Sequence, residues 1–225
     1  MMKRMMVLTF AFAAFAAFAE PVKVSILGDS YSTFEGSLTP EKNKPYYLKP
    51  PKARGGVESA DQTWWMQVIK GMGGELEVNN SYSGSTICFT GYNKLDFSKT
   101  SFVRRAAELG NPDVIFICGG TNDAWAKSPL GEFKYEDITD EDCKSFRPAC
   151  AKMFADLKTK YPKARLYFIL NSEIGSGVPK SVVEIAKRCE VPVIKLGKSI
   201  EKKSGHPTAA GMKAIADTVL AAVKK

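Results

Sequence analysis

Apolar residues along the chain form five short runs, and longer segments with helical spacing lie between them. The runs are near-continuous rather than strictly alternating, which is typical of parallel strands that are covered on both faces. Alternation of strand and helix predicts a layered α/β domain with right-handed crossovers. We therefore predict a three-layer αβα sandwich around a five-stranded parallel sheet, with strands at 22–27, 76–79, 114–118, 166–170 and 191–196.

Three segments have apolar residues at helical spacing. Pro148 is expected to bend the second helix or to mark its start, and Thr139 with Asp142 is expected to cap it. Pro207 is expected to fix the entry of the third helix. The apolar positions of the three helices fall within 65–72, 146–157 and 212–223.

One long segment, 34–59, has no periodic pattern and is rich in proline, tyrosine and glycine. Long connections in a compact domain are usually functional, so we interpret this segment as a rim over a site that follows the first strand. A disordered excursion is the alternative.

The N-terminus has the pattern of an export signal. Lys3 and Arg4 precede an alanine-rich apolar run that ends in Ala17-Phe18-Ala19, a small-x-small cleavage pattern. We predict a cleaved signal peptide at 1–19, a single domain at 20–225, and a secreted or periplasmic location. The leader is too short to span a bilayer, and no second apolar stretch indicates a membrane span.

Charge and cysteine content narrow the function classes. The net charge is +8, and removal of Lys3 and Arg4 with the leader would leave +6. The basic residues are scattered, so we interpret them as a solvated surface; they do not indicate nucleic-acid binding, and an acidic polysaccharide or anionic surface is the alternative. Five dispersed cysteines and one histidine form no metal-ligand pattern, and no disulfide can be assigned. We expect no metal and no cofactor.

Four residues with catalytic potential follow predicted strands. Ser30 follows the first strand, Gly84 the second, Asn122 the third, and His206 the fifth. Ligands bind outside the carboxyl ends of parallel strands, so these residues are expected to meet at one edge. His206 is the only histidine, and it is therefore the only imidazole that could act as a base for a serine nucleophile.

These blocks resemble those of the SGNH/GDSL hydrolases, a family of serine esterases and lipases. The resemblance runs from Val22 to about Val219, with its blocks in the family's order. They are Gly28-Asp29-Ser30, Gly84, Gly119-Gly120-Thr121-Asn122-Asp123 and Gly205-His206-Pro207.

The resemblance implies a flavodoxin-like sheet and a cofactor-free hydrolase. Ser30 would be the nucleophile and His206 the base, and the oxyanion would bind the backbone N–H groups of Ser30 and Gly84 and the side-chain amide of Asn122. Taken singly, Ser30 and Asn122 could also be helix caps, Gly84 a turn residue, and His206 a solvated loop residue.

One position departs from the family. Lys203 occupies the place, three residues before the histidine, where the family usually has an aspartate. The imidazole therefore lacks its usual acid. Glu201 is a candidate third catalytic residue, and a backbone carbonyl that holds the tautomer is the alternative.

Other residues near these blocks are candidates for substrate binding. We expect Asp29, Trp125 and Tyr92 to contact the substrate, whereas Trp65 belongs to a core-facing helix. Arg104 and Arg105 could pair with a substrate carboxylate, but such residues more often cover a helix surface.

Together these features predict an exported serine esterase that removes small acyl groups, above all O-acetyl, from a small-molecule or polysaccharide ester. A lipase or lysophospholipase and a catalytically weak carbohydrate-binding relative are the alternatives. A flavodoxin-like FMN carrier is a third, because that topology binds ligands at the same sheet edge.

Overall fold

A parallel sheet with the strand order β2-β1-β3-β4-β5 lies at the centre of the structure. The computed structural model describes residues 20–175, 177–197 and 200–224, so the predicted signal peptide at 1–19 lies outside the described residues. The strands are β1 (Lys23–Gly28), β2 (Glu75–Asn79), β3 (Val114–Cys118), β4 (Arg165–Asn171) and β5 (Val193–Leu196), and β6 (Lys202–Lys203) with β7 (His206–Pro207) forms a separate antiparallel hairpin.

All five predicted strands are present, and every neighbouring pair in the main sheet is parallel. The third strand was predicted at its observed bounds, because all five of its residues are buried and apolar. The fifth strand begins two residues later than predicted. Val191 donates its backbone N–H to Ala186 at the end of the preceding helix, and it therefore belongs to the connection.

Helices cover both faces of the sheet, which confirms the three-layer prediction. One apolar core contains residues of α1 and α6, including Trp65, and the other contains residues of α2, α4 and α5. The helices are α1 (Trp64–Gly71), α2 (Phe102–Arg105), α3 (Thr121–Trp125), α4 (Phe146–Lys160), α5 (Val178–Arg188) and α6 (Ala209–Val223).

The predicted start of α4 was partly wrong. Pro148 lies in the first turn of the helix and marks its start, but Thr139 and Asp142 hydrogen-bond to each other around a separate 3-10 turn. Ser145 is the N-terminal flanking residue of α4. The local pairing of Thr139 with Asp142 was therefore assigned to the wrong helix.

The long segment 34–59 packs against the domain. Phe34, Leu38, Tyr47 and Val57 are buried, so the disordered alternative is wrong. Tyr47 donates its hydroxyl to the Pro207 carbonyl at 2.6 Å, which joins this segment to the hairpin that carries His206.

In the described part of the chain, no helix is long and apolar enough to cross a membrane. No cluster of three or more potential metal-ligating side chains occurs among the same residues. All five cysteines are described and none forms a disulfide.

Candidate active site

The sheet order places the candidate nucleophile at the point where the connections change direction. In the order β2-β1-β3-β4-β5, strands β1 and β3 are neighbours, and ligands bind at such a switch point. Ser30 begins a short 3-10 turn that follows β1, and Asn122 lies in the first turn of α3 after β3. Gly84 lies in the long connection between β2 and α2, and His206 lies in the hairpin after β5.

Ser30 and His206 are hydrogen-bond neighbours. The distance between Ser30 Oγ and His206 Nε2 is 3.0 Å, and the other ring nitrogen, Nδ1, is 3.0 Å from the Ser204 carbonyl oxygen. A carbonyl can only accept, so Nδ1 carries the proton in the neutral ring and Nε2 is free to accept from the serine hydroxyl. This is the tautomer that a serine hydrolase needs.

A tight hairpin explains why the Ser204 carbonyl reaches the ring. Lys203 pairs with His206 across β6 and β7, and the two connecting residues, Ser204 and Gly205, have φ values of +50° and +77°. Two consecutive positive φ values are typical of a type I′ turn. The turn brings the carbonyl of Ser204 back beside the imidazole two residues later.

Aromatic side chains hold the hairpin and the imidazole. Tyr31 donates its hydroxyl to the Gly205 carbonyl at 2.6 Å, so the residue after Ser30 is bonded directly to the turn before His206. The Tyr46 ring stacks on the imidazole with a centroid distance of 3.6 Å and an interplanar angle of 8°. The Trp125 ring meets the imidazole edge-on, with a centroid distance of 6.1 Å. The sequence analysis did not identify Tyr46.

Burial lowers the pKa of His206 from its ordinary value, and the nearby positive charge of Arg54 lowers it further, while the hydrogen bond to the Ser204 carbonyl acts in the opposite direction. A lowered pKa keeps the ring neutral at neutral pH. The imidazole is therefore ready to accept a proton.

Glu201 is not joined to His206. Its Oε1 accepts a hydrogen bond from the Thr208 hydroxyl at 2.7 Å, and that hydroxyl caps the start of α6. Lys203 occupies the position three residues before His206, where the family usually has an aspartate. Two groups were predicted to orient the imidazole, Glu201 or a backbone carbonyl. In the structure a backbone carbonyl contacts the imidazole, and Glu201 contacts the residue that caps α6.

The three predicted oxyanion donors are the backbone N–H groups of Ser30 and Gly84 and the side-chain amide of Asn122. The backbone N–H groups of Ser30 and Gly84 have no acceptor among the described residues. Gly84 has a φ of +87°, a conformation that residues with a Cβ rarely adopt. Asn122 is 3 % exposed, and its amide nitrogen donates to the Ser85 carbonyl at 3.0 Å.

Tyr92 and Asp29 both contact Asn122. The Tyr92 hydroxyl donates to Asn122 Oδ1 at 2.7 Å, which fixes the amide with its nitrogen directed to the Ser85 carbonyl. Asp29 Oδ2 lies 3.4 Å from the same nitrogen, a long contact. Asp29 is 1 % exposed, and its Oδ1 accepts the backbone N–H of Tyr31 at 3.0 Å; direct contact of Asp29 with substrate stays a prediction.

Burial raises the pKa of the Asp29 carboxyl to about 7 and that of the Asp123 carboxyl to about 6. Asp123 accepts hydrogen bonds from the backbone N–H groups of Ile87 and Cys88. The residue after Asn122 thus anchors the loop that carries Gly84. Asp123 directly follows Asn122 in the sequence, and this position could have indicated a role in the site. The sequence analysis assigns Asp123 no separate role.

Arg105 is also a positioning residue. It is 5 % exposed and donates to the Asn80 and Thr100 carbonyls and to the Ser85 hydroxyl. The expectation of a residue on the helix surface, or of a partner for a substrate carboxylate, was therefore wrong for Arg105. Arg104 does lie on the surface, where it pairs with Asp140.

Two cavities lie near the candidate site, one bordering His206 and the other bordering Gly84. One, of about 340 Å³, is lined by His206, Tyr46, Arg54 and Lys203 among others. The other, of about 610 Å³, is lined by Gly84, Tyr92 and Lys99 among others.

A serine–histidine pair at the switch point of a parallel α/β sheet is typical of serine ester hydrolases. Residues 22–223 match the family model for GDSL-like lipase/acylhydrolase. The chain belongs to this GDSL-like hydrolase family and is a carboxylic ester hydrolase. The FMN-carrier alternative is therefore wrong.

Solved structures agree with this assignment. A protein from Bacteroides ovatus named as a GDSL-like lipase is 46% identical, covers 92% of this chain and 99% of its own, and has a TM-score of 0.89. A similarly named protein from Bacteroides uniformis is 45% identical over 91% of this chain and 96% of its own, with a TM-score of 0.87.

A family two carbohydrate esterase from Clostridium thermocellum, solved with cellohexaose, shares the fold at 17% identity, with a TM-score of 0.64 over 92% of this chain and 66% of its own. A search of curated proteins finds no match.

Proposed function

We propose that the protein is an exported serine esterase that removes small acyl groups, above all acetyl groups, from carbohydrate esters. The contact that carries this proposal is the 3.0 Å approach of Ser30 Oγ to His206 Nε2, with Nδ1 directed to the Ser204 carbonyl. The family assignment supports an ester as substrate. Export rests on the sequence pattern of residues 1–19 alone.

In the proposed mechanism Ser30 Oγ attacks the ester carbonyl carbon and passes its proton to His206 Nε2. The carbonyl oxygen becomes an oxyanion and accepts from the N–H groups of Ser30 and Gly84 and from Asn122. The imidazolium then gives its proton to the leaving alcohol as the ester C–O bond breaks, which leaves an acyl-enzyme. Water, activated by the same imidazole, hydrolyses the acyl-enzyme and restores Ser30.

Surface chemistry supports a small acyl group over a lipid chain. Among the described residues the exposed large apolar side chains are Leu95, Trp125 and Val183, and only Trp125 contacts the catalytic pair. A long acyl chain needs a continuous apolar groove. Trp125 is 43% exposed beside His206, which suits stacking against a sugar ring in the alcohol part of the ester.

The dyad geometry favours an active esterase over a catalytically weak carbohydrate-binding relative. The weak relative was considered because Lys203 replaces the aspartate that usually accepts the imidazole N–H. The Ser204 carbonyl supplies that acceptor instead. The solved relatives add that this fold carries carbohydrate esterases, including an acetyl xylan esterase from Butyrivibrio proteoclasticus with a TM-score of 0.58.

The test is hydrolysis of p-nitrophenyl acetate and of a long-chain p-nitrophenyl ester by residues 20–225. We expect acetate to be released and the long-chain ester to be a poor substrate. Ser30→Ala and His206→Ala should each lower kcat by about 10³-fold or more. Ser32→Ala, in the same turn, is the matched control and should keep most activity. Equal activity of Ser30→Ala and the parent protein would refute the mechanism.

A further inference from the structure

Among the described residues, the positive charges at the cavity beside His206 have no carboxylate partner. Arg54 and Lys203 both line it, and none of the described residues that line it is acidic. Eight other basic residues form ion pairs with carboxylates, but among the described residues neither Arg54 nor Lys203 does so. Two unpaired cations at a concave site favour an anionic ligand.

Both cations are held close to the imidazole. The Arg54 guanidinium carbon is 4.7 Å from the centroid of the Tyr46 ring, and the imidazole centroid is 3.6 Å from the same point. These two distances place the guanidinium within about 8 Å of the imidazole centre, about the width of a sugar ring and one substituent. Lys203 is the cross-strand partner of His206, so their side chains lie on the same face of the hairpin.

The chemistry of the reaction decides which part of the ester faces this cavity. The oxyanion must lie by Gly84 and Asn122, whereas the leaving alcohol must lie by His206 because His206 Nε2 protonates it. The cavity of Arg54 and Lys203 borders His206 and not Gly84. An anion bound there therefore belongs to the alcohol part of the ester.

We propose that Arg54 and Lys203 form a subsite for the carboxylate of a uronic acid whose neighbouring hydroxyl carries the acyl group. This inference rests on the proposed esterase function and names its substrate class as an acidic, acylated glycan. The carboxylate forms a charge-assisted pair with the guanidinium, while the sugar ring lies between the Arg54 cavity and Trp125. The anion also offsets two positive charges that would otherwise disfavour the imidazolium formed during the reaction.

The experiment compares two forms of one polymer, acetylated homogalacturonan with free carboxylates and the same polymer fully methyl-esterified. Acetate release should give a kcat/KM about tenfold higher for the free acid, and the preference should shrink as salt is added. In the Arg54→Gln, Lys203→Gln double variant the ratio of the two kcat/KM values should fall to about one, whatever change the lost charges cause in the rate on the methylated polymer.

Lys163→Gln is the matched control, because Lys163 is exposed in the turn before β4, at the opposite end of the sheet. It should keep the preference. Equal rates on the two polymers, or a preference that survives in the double variant, would overturn the subsite while leaving the esterase intact.

A second readout does not need turnover. Calorimetric titration with D-galacturonate should show binding that D-galactose lacks, and the double variant should abolish it. If neither polymer nor p-nitrophenyl acetate is hydrolysed, the esterase proposal fails and this titration alone decides whether the carboxylate subsite exists. Absence of galacturonate binding to the parent protein would reject the subsite.

Discussion

The two halves of the candidate site are stabilised in different ways. The proposed oxyanion donors Ser30, Gly84 and Asn122 form one half, the oxyanion side. Ser30 and Asn122 are 4% and 3% exposed and follow central strands of the sheet. Buried carboxyl groups of Asp29 and Asp123 tie this side together through backbone and amide hydrogen bonds. Burial excludes water from these hydrogen bonds, which strengthens them.

The base side lies outside the main sheet, on a hairpin of two-residue strands. His206 is half-buried, and its ring is positioned by one carbonyl, the Tyr46 stack and hairpin contacts from Tyr31 and Tyr47. The comparison shows that the oxyanion side depends on buried hydrogen bonds, whereas the base side depends on ring packing in place of a carboxylate.

After Ser30 and His206 themselves, the largest expected effect concerns the oxyanion side. Asn122→Ala should lower kcat by about 10²- to 10³-fold with little change in KM, because it removes a donor that stabilises the transition state. Steady-state kinetics on p-nitrophenyl acetate measure this. Asn111→Ala is an exposed control that should leave kcat unchanged, and a loss below about tenfold for Asn122→Ala would argue against its proposed role.

The pH profile tests the electrostatics of the base side. His206 must be neutral to act as a base, so activity is full above its pKa and falls about tenfold per pH unit below it. Because the pKa is lowered, the acidic limb of kcat/KM should lie below pH 6.5. Arg54→Gln should move the limb upward.

Asp29 has a pKa of about 7 and could mask this limb. The profile of Asp29→Asn, followed from pH 4 to 8, separates the two groups. A limb that stays at or above pH 6.5 in that variant would contradict the lowered pKa of His206.

Ring packing on the base side is tested at Tyr46. Tyr46→Leu should lower kcat by up to about tenfold, because an aromatic stack contributes about 0.5–1.5 kcal/mol. Tyr46→Phe keeps the ring and should retain activity. A loss in Tyr46→Phe as large as that in Tyr46→Leu would show that the hydroxyl matters and the stack does not.

In contrast to Tyr46→Phe, which should retain activity, Tyr92→Phe should lower it. Tyr92→Phe removes the hydrogen bond that orients the Asn122 amide, which should lower kcat about three- to tenfold with KM nearly unchanged. Tyr82→Phe, in the same cavity, is the control. Equal kinetics for Tyr92→Phe and the parent protein would remove Tyr92 from the positioning of Asn122.

The smallest effect is expected at Glu201. Glu201→Gln keeps an oxygen that accepts from Thr208, so kcat should change by less than about twofold. Thermal unfolding should also be nearly unchanged. A marked loss of kcat with an unchanged melting temperature would restore Glu201 as the orienting acid.

Strand prediction succeeded where burial leaves a continuous apolar run, as in β3. The contact of Ser30 with His206 agrees with their predicted positions after parallel strands. Arg105 was misassigned, because a basic residue at helical spacing is usually exposed and only its packing beside Asn80 and Ser85 shows otherwise. Tyr46 was missed, because its contact with His206 depends on how the long segment 34–59 folds back over the site.

By itself, the sequence determined the layered α/β architecture and the identity of the candidate base, since hydrophobic patterning follows secondary structure and the chain has one histidine. Only the tertiary structure decided how that histidine is oriented. The partner of Nδ1 is a backbone carbonyl, a group that every residue has, and a turn with two positive φ values selects the one from Ser204. The stacking ring comes from a distant loop, and such long-range contacts are set by packing and not by local pattern.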